Sequence, residues 1–191
     1  MTKMFGMMFF FFLSVNVSTG ESLPDVPHYK FYVPTPAKTY EGEILDFYSL
    51  KDAYGEFSNF ALFPIWVDEL MWPSSEHYYQ AHKYTDPQLI EQIRNAASPM
   101  DAARMGRDPN IPKRSDWESY KDVAMEIAVR AKFSQYPILM TLLKSTNSSV
   151  LYEHTKNDCY WGDCGDRTGK NKLGLLLMKL RAESYYFAQY P

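Results

Sequence analysis

The chain has 191 residues, 46% of them hydrophobic and 16% aromatic, with 20 Lys and Arg against 23 Asp and Glu. That length suits a single domain, and the ordinary apolar share excludes a wholly disordered, collagenous or multi-span membrane protein. Two cysteines are too few for a disulfide scaffold, and a pI near 5.8 argues against general nucleic-acid binding, which needs a basic face.

Lys3 is followed by an apolar run from Met4 to Leu13 that fades into Ser14–Gly20. The run is shorter than the ~20 residues a membrane-spanning helix needs. It has the charged start, apolar middle and small-residue exit of a secretory signal, so residues 1–20 are predicted to form a leader. Asn147-Ser148-Ser149 is a glycosylation sequon and agrees with export. A cytoplasmic protein with an apolar start is the other reading, and the compartment stays open between the two. Residues 21–43 carry Pro24, Pro27, Pro34 and Pro36 with few clustered aliphatics and read as an extended arm. The domain proper is predicted over residues 44–191.

Ile44–Tyr48 and Ile65–Val67 have strand composition, and Asp68-Glu69 is placed to turn the second into Met71-Trp72. Helices are predicted over Glu76–Tyr84, Gln88–Ala97 and Pro99–Gly106. Ser115-Asp-Trp-Glu118 reads as a capping box. Behind it Trp117, Tyr120, Ala124, Ile127, Ala128 and Ala131 recur at helical spacing as one apolar stripe. Pro137 can open a further helix containing Leu139, Leu142 and Leu143. Ser149–Glu153 reads as a strand. A glycine-rich loop from Gly162 to Gly169 then leads into a last helix from Asn171, with Leu173, Leu176, Leu177 and Leu180 facing inward. The fold class is α+β, a compact domain dominated by helices with a few short strands.

Two segments carry candidate chemistry. Glu76, Gln80 and Lys83 fall at i, i+4 and i+7, which puts a carboxylate, an amide and an ammonium on one helical stripe. On a solvated face this is ordinary polarity. Along a cleft, the carboxylate could activate water or stabilise a cationic sugar-like transition state. The second segment runs from Asp158 to Asn171, where glycine-rich backbone at a helix start can offer amides to a phosphate and Trp161 can stack on a heterocycle. It is not a Walker A loop, because Cys164 stands where the first glycine belongs and Asn171 replaces Ser or Thr. His28, His77, His82 and His154 show no metal-ligand spacing. Cys159 and Cys164 would pair in an exported protein and remain thiols in the cytosol. Charge is unevenly spread: residues 21–80 hold ten acids and three bases, whereas residues 94–132 hold eight bases and six acids. That asymmetry suits a pocket with a basic side for an anionic group.

Phe47-Tyr-Ser, Gly55-Glu-Phe-Ser-Asn-Phe60, Trp72-Pro-Ser-Ser-Glu-His-Tyr-Tyr-Gln-Ala-His-Lys83 and Ser98-Pro-Met-Asp-Ala-Ala-Arg-Met-Gly-Arg107 resemble the YbiA/NADAR family. So do Arg114-Ser-Asp-Trp117, Ala131-Lys-Phe133, Trp161-Gly-Asp163 and Gly169–Met178, in order over residues 47–181. The resemblance implies a single-domain N-glycosidase without cofactor or metal. Its substrate would be a riboflavin-pathway pyrimidine riboside phosphate or ADP-ribosylated guanine. It carries Glu76 and Asp163 over as the catalytic carboxylates. Trp117 and Trp161 would sandwich or edge the heterocycle, and Lys83 would partner Glu76 or the phosphate. Arg107 and the amides of the Gly162–Asn171 loop become candidates for the phosphate. The family usually has glycine at Cys164 and often at the Asp68-Glu69 turn. Beside hydrolysis stand a non-catalytic NAD or ADP-ribose binding module and a secreted structural protein. Two acids in one pocket favour the enzyme, since a pure binder gains nothing from carboxylates whose desolvation must be offset.

Overall fold

The computed structural model describes residues 42–189, with side chains to Tyr185. The predicted leader, and the predicted arm apart from its last two residues, lie outside the described residues. Among the described residues four short strands and six helices follow in the order β1 (Ile44–Phe47), β2 (Ile65–Val67), β3 (Leu70–Trp72), α1 (Ser75–Ala81), α2 (Pro87–Arg94), α3 (Pro99–Met105), α4 (Trp117–Gln135), α5 (Pro137–Ser145), β4 (Val150–Glu153) and α6 (Lys172–Gln189). A single 3-10 turn, Gly55–Phe57, precedes β2.

The strands form two separate pairs. β1 and β4 run parallel with Ile44 opposite Val150 and Phe47 opposite Glu153. β2 and β3 are antiparallel and joined by Asp68 and Glu69, both in the left-handed region at φ 51° and 62°. A two-residue hairpin loop needs positive φ at both centres to match strand twist, which is why glycine is expected there.

Prolines and short polar caps set the helix starts. Ser74, Asp86 and Ser98 each accept an amide hydrogen bond into the first turn of α1, α2 and α3, and Pro87, Pro99 and Pro137 open their helices. The predicted first helix stops early, at Ala81, with His82 as its C-cap, and Asp86, held extended before Pro87, starts the next helix. The predicted capping box does not form. Asp116 stands at the N-cap of α4 without a side-chain bond into it; its carboxylate is taken by Arg114 at 2.6 Å, and Glu118 is taken by Lys121.

The apolar stripe of α4 is also wider than predicted. Trp117, Ala124 and Ala128 are buried as expected, but the buried face continues through Met125, Val129, Lys132 and Phe133, with Tyr120, Ile127 and Ala131 on its shoulder. Lys132 survives there because its Nζ donates to the carbonyls of Glu56 and Ser58, and burial pushes its pKa down to about 7. This lysine therefore fastens the segment leading to Asn59 onto the longest helix.

Helix α1 packs against α2, α3 and α4, and all seven of its residues are buried. On the other side α6 lies on β4 through Gly174, where an added Cβ would come within 2.2 Å of the Leu151 carbonyl. Leu173, Leu177 and Leu180 are buried and Leu176 packs beside them, as the spacing predicts. Among the described residues no helix is long and apolar enough to cross a membrane.

Candidate active site

A cavity of about 570 Å³ opens between α1, the start of α4 and the ends of the parallel pair β1–β4. Glu76, Lys83, Trp117, Trp161 and Arg107 all line it, so five of the seven predicted site residues meet in one place. Asp163 and Asn171 do not.

Glu76 is 4% exposed. Its backbone N–H donates to the Asn59 carbonyl, and Gln80 Nε2 donates to its Oε1 at 2.7 Å. Burial pushes its pKa up, while the Gln80 bond and the charges of Arg107 and Lys83 pull the other way. Gln80 is positioned in turn by Gly106, since a Cβ there would sit 2.0 Å from Gln80 Oε1. Nothing but glycine leaves room for the amide that holds Glu76.

Lys83 lies one turn further along, 6% exposed. Its Nζ donates to the Gly106 carbonyl at 3.1 Å and stands 5.4 Å from the Tyr79 ring centre and 5.9 Å from that of Trp117. Desolvation brings its pKa down to about 8. Tyr79 occupies the space between the two tryptophans, 5.2 Å from Trp117 and 5.5 Å from Trp161, and accepts a hydrogen bond from Trp161 Nε1 at 3.0 Å. The two indoles therefore do not sandwich a heterocycle between them, because a phenol already fills that place. They offer edges and faces along one wall.

The cavity is polar in an ordered way. Lys83 comes from the turn after α1, Arg107 and Lys113 from the segment between α3 and α4, and Lys121 from α4, whereas Glu153 and Asp158 come from β4 and the loop after it. Among the described residues the side chains of Arg107 and Lys113 make no ion pair or hydrogen bond, which leaves both free for an anion.

Asp163 belongs to the structure of the loop. It is fully buried, accepts from the amides of Thr155 and Gly165, bonds His154 Nδ1 at 2.8 Å and receives Arg167 at 3.4 Å. No lone pair is left for a sugar, and the carboxyl does not reach the cavity wall. Asn171 likewise ties β4 to α6: its Oδ1 accepts from Glu153 N–H and its Nδ2 donates to the Leu151 carbonyl. Most of the loop amides predicted to cradle a phosphate are consumed internally, those of Asp163, Cys164, Gly169, Lys170 and Asn171 by carbonyls of Glu153, Asp158, Asp163, Cys159 and Gly162, and those of Gly165 and Thr168 by the carboxyls of Asp163 and Asp166. Cys159 and Cys164 form a disulfide inside the same loop, with Cys164 at φ 65°, the region glycine prefers.

Among the cavity residues that escaped the sequence reading are Asn59, Tyr79, Lys113, Glu153 and Asp158. Asn59 Oδ1 is buried without a partner, and Asp158 Oδ1 accepts from the amides of Tyr160 and Trp161 at 2.7 Å, aiming the second indole. A carboxylate ending the apolar strand Val150–Glu153 was the available signal for Glu153.

A cleft in which a buried carboxylate faces cations and aromatic walls suits a small-molecule enzyme. Residues 46–183 match the NADAR domain. The chain is 55% identical over 140 residues to N-glycosidase YbiA of Escherichia coli, covering 73% of this chain and 88% of that protein. It is 43% identical to the chloroplastic riboflavin biosynthesis protein PYRR of Zea mays, covering 75% of this chain and 26% of the longer relative. The NMR structure of E. coli YbiA superposes with a TM-score of 0.75 at 50% identity, over 80% of this chain and 91% of that one. The chain belongs to the NADAR domain family, with the α+β fold of YbiA. Enzymes named N-glycosidase are its relatives at an identity and coverage that make this chain one of their class.

Proposed function

We propose that the cavity binds a ribose phosphate joined to a nitrogen heterocycle and hydrolyses the C1′–N bond between them. The observation that carries this reading is Glu76, a carboxylate 4% exposed that still lines a cavity with cations and aromatic rings. Departure of the heterocycle turns the sugar into an oxocarbenium-like cation, and a fixed carboxylate in a water-poor site stabilises it strongly. Glu76 supplies that charge and receives a proton from the attacking water. Lys83, Arg107 and Lys113 hold the phosphate, while Tyr79, Trp117 and Trp161 form the wall against which the base lies.

The relatives' names, N-glycosidase and riboflavin biosynthesis protein, favour a pyrimidine riboside phosphate as substrate. The test incubates the full-length protein separately with aminopyrimidine riboside 5-phosphate, ADP-ribosylated guanine in DNA, and NAD, and follows the released base by mass spectrometry. Release of aminopyrimidine supports the reading. Release from modified guanine alone moves the substrate to ADP-ribosylated bases. Binding without release from any of the three returns the cavity to a non-catalytic NAD or ADP-ribose module.

A further inference from the structure

We infer that Glu153 is the proton donor to the departing heterocycle, an assignment that rests on reading the cavity as an N-glycosidase site. Glu153 is the last residue of β4, and the cavity lies beyond the carboxyl ends of the parallel pair, with Tyr48 following β1 and Thr155 following β4. Ligands of parallel strands characteristically bind at that end. The residue's backbone is clamped on both sides, its N–H by Asn171 Oδ1 at 3.1 Å and its carbonyl by the Asp163 amide at 3.0 Å. Glu153 lines the same cavity as Glu76, and its carboxyl feels the Glu76 charge. Among the described residues that carboxyl has no ion pair and no hydrogen bond.

Its surroundings divide the labour between the two carboxyls. Glu76 faces it from α1, and Asp158 and Asp163 from the loop after β4; burial and these three acids push Glu153 up to about 8. The residues flanking β1 and α6 on this side, Tyr48 and Asn171, add no charge. The cations Lys83 and Arg107 act on Glu76, which also receives the Gln80 N–H. Burial raises both carboxyls, but only Glu76 has cations and an amide N–H that favour its charged form, whereas Glu153 faces acids alone and keeps its proton the more readily. Neighbouring carboxyls with unlike partners are how one site runs acid and base steps together.

The step balances. Protonated Glu153 gives its hydrogen to the glycosidic nitrogen as the C1′–N electron pair returns to the base. Water then bonds through oxygen to C1′, its proton passing to Glu76 and on to solvent, and Glu153 regains a proton from solvent. Riboside and water become free base and free sugar phosphate.

The experiment measures kcat and KM of the full-length protein and of Glu153→Gln and Glu153→Asp between pH 6 and 10, with the aminopyrimidine riboside 5-phosphate as substrate. The wild-type kcat is expected to fall as pH rises through about 8, the value at which Glu153 gives up its proton. Glu153→Gln, isosteric with the protonated acid, should keep KM within a few-fold, lose ~10²–10⁴-fold in kcat and no longer show the alkaline fall. Glu153→Asp should keep part of the rate and shift the fall, so the assignment stays testable if the Gln variant does not fold. A Gln variant within threefold of wild type overturns the assignment. So does an alkaline fall left unmoved in both variants, which would belong to Lys83. Wild-type protein that releases no base from any riboside defeats the N-glycosidase reading itself, a separate failure.

Discussion

Helix α1 and the Asp158–Asn171 loop look equally rich in chemistry along the chain, and the structure sends them to opposite roles. Every residue of α1 is buried, yet its polar groups and the lysine just after it keep spare capacity: Glu76 accepts one side-chain bond, Gln80 Oε1 has no partner, and Lys83 donates to one carbonyl. In the loop the acid at 163 is saturated from within, and so are most of the backbone amides between Gly162 and Asn171. Buried polar groups must be satisfied by something. A group satisfied by its own protein holds the fold, whereas one left short beside a cavity is available to a ligand. The count of remaining hydrogen-bonding capacity separates the two where residue type cannot.

Exchanging the two acids for amides should expose this contrast most sharply. Glu76→Gln removes the charge without changing shape, so turnover should fall ~10²–10⁴-fold with thermal stability and ligand affinity nearly intact. A variant retaining more than a tenth of the activity would remove Glu76 from the mechanism. Asp163→Asn should do the reverse, costing about 2–5 kcal/mol of stability by unpairing buried donors while the folded fraction keeps its kcat. Its pH signature follows from the same bonds. Burial raises the Asp163 pKa, but His154 and the amides of Gly165 and Thr155 outweigh this and hold it below the ordinary range. The ionised carboxylate thus stabilises the fold above about pH 4, and that contribution is lost as pH falls through the lower folded value. Denaturation midpoints against pH should show this loss in the wild type and not in Asp163→Asn.

The disulfide tests the same loop more gently. The Cys159–Cys164 crosslink closes a short ring, worth at most about 2 kcal/mol in the chain-entropy account. The Cys164 amide bond to the Asp158 carbonyl and the Lys170 amide bond to the Cys159 carbonyl remain after reduction. Treatment with a thiol reductant should therefore lower the melting temperature modestly and leave kcat unchanged. A collapse of kcat on reduction would mean that the loop is not held by its hydrogen bonds alone and that its indole is misplaced.

Local chemistry made much of this legible in advance. The Ser74 cap, the Glu76–Gln80–Lys83 stripe, the Ile65–Val67 strand with its Asp68-Glu69 turn and the inward leucines of α6 all depend on neighbours within a few positions. What stayed hidden depends on partners far apart in the chain. Lys132 reads as a polar break in the α4 stripe until carbonyls 74 and 76 residues away satisfy it. The capping box at Ser115 lost to competing ion pairs, which spacing alone does not rank. Asp163 carries the motif signature of a site acid, but only the fold reveals that its acceptor capacity is spent. Glu153 shows the converse, a lone acid at a strand end that gains meaning when β4 pairs with β1 beside α1.

The gentlest probe acts on the aromatic wall. Tyr79 stands between Trp117 and Trp161, and its hydroxyl accepts the Trp161 Nε1–H at 3.0 Å. Tyr79→Phe keeps the ring and its packing and deletes only that acceptor, at about 1 kcal/mol for one neutral hydrogen bond. If the indole must be fixed to receive the heterocycle, KM should rise roughly fivefold with kcat almost unchanged, because the carboxylates are untouched. The Asp158 side chain still bonds the Trp161 amide, so the indole should turn about its own side-chain torsions without the loop moving. An unchanged KM would mean that packing alone orients Trp161. A loss in kcat larger than in KM would place the Tyr79 hydroxyl nearer to the reacting bond than its bond to the indole implies.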